Sequence, residues 1–90
     1  MKIEFDPAKR RSTLEERELD MAQAAEVFAD DHLTVEDDRF DYGEPRFITI
    51  GFLSERMVIL VWTPRGEAYR IISMRKANDR EQKAYAPRFR

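Results

Sequence analysis

Polar and apolar residues alternate from Lys2 to Phe5, the period of a short strand. Asp6-Pro7 then reads as a helix start, because aspartate can cap free N–H groups and proline tolerates the first helical position. The pattern predicts a helix to about Arg17, thin in apolar side chains (Ala8, Leu14) and therefore on the surface. Asp20 with Gln23 three residues on resembles a capping box, and Met21, Ala24, Ala25 and Phe28 form an amphipathic stripe predicted to pack on a sheet. Leu33 to Val35 is a short strand of branched residues, and Asp37 to Glu44 a polar loop. Arg46 to Leu53 alternates as a strand. Met57 to Thr63 is apolar on both faces and so belongs at the centre of the sheet. Ser54-Glu55-Arg56 joins these two as a hairpin, and Pro64-Arg65-Gly66 turns the chain into a strand from Ala68 to Met74. Asn78 with Glu81 opens a last helix to about Ala86, ended by Pro87. The predicted order is β-α-α-β-β-β-β-α: an α+β fold with a mainly antiparallel sheet, two N-terminal helices and one C-terminal helix.

Ninety residues predict one domain, 1–90, with a small core; roughly 60% of the chain's surface or a little more is buried at this size. No cysteine is present, so neither a disulfide nor a thiolate-metal site can supplement that core, which fits a reducing cytoplasm. The N-terminus lacks the apolar stretch of a signal peptide, and the longest apolar run, Met57 to Trp62, is far too short to cross a membrane. The expectation is a soluble cytoplasmic protein without a membrane partner.

Charge changes the picture more. The net charge of −2 hides a polarised chain: Arg65 to Arg90 holds 8 basic and 3 acidic side chains, and the remainder 8 basic and 15 acidic. A basic end suits a polyanion such as RNA, and an acidic remainder suits a basic partner.

Histidine chemistry has little support. His32, the sole histidine, falls between a helix and a strand and reads as a solvated loop residue, with no nucleophilic triad around it. The acidic run Asp30, Asp31, Glu36, Asp37, Asp38, Asp41 and Glu44 matches no calcium-loop spacing and reads as a solvated or partner-docking surface. No metal site, cofactor or glycine-rich phosphate loop is expected. The basic set carries more. Strict alternation along Ala68 to Arg75 puts Arg70 and Arg75 on different faces unless a bulge intervenes. Arg75 and Lys76 end that strand, and Lys9 can join them only if the first helix packs nearby. Arginine grips phosphate in two-pronged fashion and lysine supplies a mobile charge; each of these residues can equally be an ordinary solvated or ion-paired side chain. Trp62 and Tyr69 read as core rather than base-stacking platforms.

The ordered set Phe5-Asp6-Pro7-Ala8-Lys9, Ala24-Ala25-Glu26-Val27-Phe28, Gly43-Glu44-Pro45-Arg46, Ile50-Gly51, Thr63-Pro64-Arg65-Gly66 and Arg70-Ile71-Ile72-Ser73-Met74-Arg75-Lys76-Ala77 resembles the BrnT toxins, and Arg80 to Tyr85 also fits. The resemblance implies a RelE-like fold and a small ribonuclease, the toxin of a type II toxin–antitoxin pair. It further implies a ribbon-helix-helix antitoxin, through which alone the complex touches DNA and represses its operon. The pattern departs at Phe5, where the family usually has tryptophan. It departs again at Thr13 and Glu16-Arg17-Glu18, where the family usually carries asparagine and Lys-His-Gly. A helix end normally closed by glycine thus holds glutamate, and no histidine role carries over.

Together these readings give a metal-independent endoribonuclease that lowers translation, using attack by the RNA 2′-hydroxyl. Arg70 and Arg75 are the expected phosphate contacts, with Lys9 and Lys76 next, as phosphate binders or proton-transfer groups. Arg65, Arg80, Lys83 and Tyr85 are candidate RNA contacts. The rivals are a catalytically decayed module that acts only through its antitoxin, and a plain RNA-binding domain.

Overall fold

The computed structural model describes residues 1–89. Its elements are β1 (Lys2–Glu4), α1 (Pro7–Arg17), a 3₁₀ turn (Met21–Gln23), α2 (Ala24–Ala29), β2 (Leu33–Glu36), β3 (Phe47–Leu53), β4 (Arg56–Arg65), β5 (Ala68–Lys76), α3 (Asp79–Tyr85) and a closing 3₁₀ turn (Ala86–Phe89). One five-stranded sheet has the order β1-β5-β4-β3-β2, so β4 is central, as its apolar run predicts. Three pairings are antiparallel and the β1–β5 pairing is parallel, which makes the sheet mixed.

Local signals fix the ends of the helices. Asp6 caps α1 by accepting the N–H of Ala8, and Pro7 follows it. Asp20 caps the 3₁₀ turn through the N–H of Ala22. The helix foreseen from Met21 is therefore a 3₁₀ turn leading into α2. Asn78 and Glu81 complete a reciprocal capping box at α3. α1 buries only Thr13 and leaves Leu14 exposed, consistent with its thin apolar content.

The sheet has two unequal faces. On one, Leu19, Met21, Ala24 and Val27 from the helical layer pack against Leu53, Val58, Leu60, Trp62, Ile71 and Met74. Trp62 is sandwiched between Phe47 and Tyr69, with ring centroids 4.9 and 4.6 Å away, and donates its indole N–H to Thr49 at 2.8 Å. It is a core residue, as read from the sequence. Gly51 lets α2 sit close: a β-carbon there would lie 2.6 Å from Val27 Cγ1. On the other face α3 and the closing turn cover Ile50, Met57, Ile59 and Ala77, chiefly through Tyr85 and Phe89.

Two turns differ from expectation. The β4–β5 turn is Gly66-Glu67, with Arg65 paired to Ala68, rather than Pro64-Arg65-Gly66. β4 runs on through Pro64 because β3 ends its pairing at Trp62, so that side of the strand has no ladder for the missing N–H to break. The β3–β4 hairpin turns on Ser54 and Glu55, both at positive φ (50° and 68°), a conformation usually given to asparagine and glycine.

Candidate active site

One backbone irregularity shapes the site. β4 pairs Val61 with Ser73 but Trp62 with Ile71, so Ile72 is an extra residue in β5. The bulge reverses the alternation. Arg70, Ser73 and Arg75 now stand opposite Thr63, Val61 and Ile59, alternate residues of β4 that share one face. The two arginines that strict alternation separates are thereby brought to the same side of the sheet, the face away from α2.

Between the cover of α3 at one end and the Asp37–Arg46 loop at the other, this face holds a cleft of about 330 Å³. Its floor is Ile48, Ile50, Ile59 and Val61; Arg75, Glu81 and Tyr85 line one side, and Arg39 from the loop also lines it. Arg70 is on the same face, outside that lining, half-buried and 3.6 Å from Glu4 Oε1.

Arg75 is held by Glu81, which accepts from both terminal guanidinium nitrogens at 2.8 Å. Glu81 also accepts the N–H of Asn78 at 2.9 Å. Hydrogen bonding from Arg75, reinforced by that N–H, pulls the Glu81 carboxyl down to about 2. The same pair raises Arg75 above its ordinary value. Glu81 is thus an anchor for Arg75, and too weakly basic to collect protons near neutrality.

The loop is organised by Asp37. Its side chain is 1% exposed and accepts from Arg39 Nε (2.8 Å), Arg39 NH2 (2.9 Å) and the Tyr42 hydroxyl (3.2 Å). The Arg39 bonds pull its carboxyl down to about 2 despite burial. Arg46 stacks over Tyr42 at 4.0 Å, and Glu44 meets Arg46 (3.4 Å) and Arg65 (3.6 Å). The acidic run is therefore not uniformly solvated: Asp37 points inward because it has a guanidinium to meet. Among the described residues no three His, Cys, Asp or Glu side chains converge as a metal-binding group.

The other sequence candidates are dispersed. Lys76 pairs with Val58 and so points to the helix-covered side, opposite to Arg75, because successive strand residues alternate. Lys9 is exposed on α1, the helix that packs beside β5. Arg80 and Lys83 are exposed on α3, next to the cleft wall formed by Glu81 and Tyr85. Arg65 lies at the loop end of β4, tied to Glu44. Arg17 donates to the Met74 carbonyl at 2.8 Å, beyond the stretch of β5 that β1 pairs. His32 is exposed, with Nδ1 2.7 Å from the Asp30 carbonyl, and packs edge-on to Phe28. Sequence reasoning missed Arg39 and the anchoring role of Glu81. The first is hidden in an acidic run, and the second sits inside a motif already explained as a helix cap.

A family model described as ribonuclease toxin, BrnT, of type II toxin–antitoxin system matches residues 5–81, most of the chain. No curated protein matches.

Proposed function

The chain belongs to the BrnT family of ribonuclease toxins of type II toxin–antitoxin systems, and from that membership we propose that its open sheet face cleaves RNA without a metal and thereby lowers translation. The observation that carries this reading is the Ile72 bulge, which aligns Arg70, Ser73 and Arg75 on one face. In such a reaction the 2′-hydroxyl attacks the adjacent phosphorus, the bond to the 5′-oxygen breaks, and a 2′,3′-cyclic phosphate remains. The protein must orient that attack and neutralise charge gathering on the phosphoryl oxygens. Arg75, pre-set by Glu81, and Arg70 supply that charge; Arg80, Lys83, Arg65 and Tyr85 guide the strand towards it. Lys9 is the remaining candidate for binding or proton transfer, since Lys76 stands on the opposite face of β5 from Arg75. Residues 1–90 act as one RelE-like domain in the cytoplasm. A ribbon-helix-helix antitoxin covers the toxin and alone carries the complex to DNA.

The test is cleavage by partner-free protein in EDTA. RNA should be cut to cyclic-phosphate ends, and a strand lacking the 2′-hydroxyl at the cut should survive. Activity lost in EDTA and restored by a divalent ion would refute the metal-free mechanism. A second reading, a decayed module acting only through its antitoxin, is favoured by one observation: both arginines are ion-paired at rest. Intact RNA after incubation with folded protein would select it.

A further inference from the structure

Arg39 lies outside the basic tail, yet it lines the cleft beside Arg75. Its side chain is 65% exposed, whereas the Asp37 carboxylate that holds it is 1% exposed. Burying a carboxylate is unfavourable, and an ion pair to an exposed arginine returns little. Besides holding the loop, the arrangement fixes the orientation of Arg39. Of the five N–H donors of a guanidinium, Asp37 occupies two on Arg39 and Glu81 two on Arg75. Each clamped arginine therefore keeps three donors in a fixed orientation, with little side-chain freedom left to lose on binding.

Between them the floor is aliphatic: Ile48 and Val61 are partly exposed, while Ile50 and Ile59 are buried and packed with Tyr85 at the α3 end. Its volume of about 330 Å³ is at the lower end for a small-molecule pocket, roughly 300–1,000 Å³. A ligand with a flat apolar body and anionic groups matches such a cleft. Unpaired nucleotides have that character, and single-stranded RNA is recognised by splayed bases laid on apolar or aromatic surfaces.

We propose that this cleft seats one unpaired nucleotide of the RNA substrate, with its base on the partly exposed Ile48 and Val61 and its flanking phosphates at Arg39 and Arg75. Asp37 is then a positioning residue for Arg39. The proposal deepens the ribonuclease reading and rests on it.

The test uses the full chain and a short single-stranded RNA whose 2′-hydroxyls are methylated, so that binding is read without cleavage. Methyl resonances of Ile48 and Val61 should shift on titration, while those of Ile3 and Ile71, on the face that packs against α2, stay in place. A ribose-phosphate strand of the same length without bases should leave the floor methyls unshifted. Arg39→Gln should weaken binding about ten-fold or more. The paired variant Asp37→Asn with Arg39→Gln, which leaves no buried carboxylate unpaired, should weaken it equally. RNA that binds without moving the floor methyls would overturn the proposal. So would an Arg39→Gln affinity within about two-fold of the parent. In both cases, continued RNA cleavage leaves the ribonuclease reading standing. Loss of both binding and cleavage in the parent chain would overturn the two together. Floor methyls that respond to a partner protein and not to RNA would assign the cleft to that partner and overturn the nucleotide seat.

Discussion

Glu81 grips both terminal nitrogens of Arg75 at 2.8 Å, and the oxygen that meets Arg75 NH1 also accepts the N–H of Asn78. The residue that completes the capping box of α3 therefore also sets the orientation of the best-placed cation on the open face. Local helix formation and site geometry share one carboxylate.

That sharing makes acid a structural probe. The Glu81 and Asp37 carboxyls both lie at about 2, below their ordinary 4.5 and 3.8. A depressed folded value means that the stabilisation is present above the ordinary value and lost as pH falls towards 2. Urea midpoints should therefore drop between about pH 4.5 and pH 2. Glu81→Gln and Asp37→Asn should each flatten part of that decline. A parent midpoint that does not move across this window would contradict both ion pairs.

Arg70→Ala and Arg75→Ala should each slow RNA cleavage on the order of 10²-fold, as loss of a preorganised donor does elsewhere. Their effect on stability should be small, because each ion pair is partly exposed and such pairs contribute about 1 kcal/mol or less. His32→Ala should leave cleavage nearly unchanged. Rates and melting temperatures taken on the same preparations check this. Active arginine variants beside a dead His32→Ala would move the site to the other end of β2.

Gly51→Ala should destabilise the fold without touching the cleft. The added methyl would stand 2.6 Å from Val27 Cγ1 and 3.3 Å from His32 Cβ, so the Val27 side chain or α2 must shift. Overpacking of this kind costs roughly 1–3 kcal/mol. Chemical denaturation should show that loss, and a parent-like midpoint would mean that α2 yields without strain.

Much of the fold was legible because its signals are local. Asp6-Pro7 and Asn78 with Glu81 each specify a helix start within a few residues, and the apolar run from Met57 marked the central strand. The site was legible only in part. Arg70 and Arg75 could be named from their chemistry, but their shared face depends on the Ile72 bulge, a property of β5's register against β4. The same alternation that Ile72 breaks is intact at Arg75 and Lys76, which separates two cations adjacent in sequence. Asp37 looked like its acidic neighbours because burial is decided by what the folded loop brings to it, here Arg39 and Tyr42. Glycine is the usual cue for a left-handed backbone, and at Glu18, Ser54 and Glu55 the chain takes that conformation without it.

Glu18 supplies the last prediction. It closes α1 at φ 58° and ψ 33°, with its N–H bonded to the Leu14 carbonyl. An L-residue with a side chain is disfavoured there by roughly 1–2 kcal/mol, and glycine is not. Glu18→Gly should relieve that strain, offset by the extra freedom glycine gives the unfolded chain, about 0.4–1 kcal/mol. The backbone carbonyl that accepts from Arg56 NH2 at 3.3 Å is kept in the variant. A net gain of up to about 1.6 kcal/mol corresponds to a rise in melting temperature of no more than about 6–13 °C for a chain of this size. Cleavage should not change, since Glu18 does not line the cleft. Glu18→Val should lower the melting temperature instead, because a branched side chain fits a left-handed backbone worse than glutamate does. If glycine lowered the melting temperature as valine does, the stability at this helix end would come from the glutamate side chain rather than from the backbone it strains.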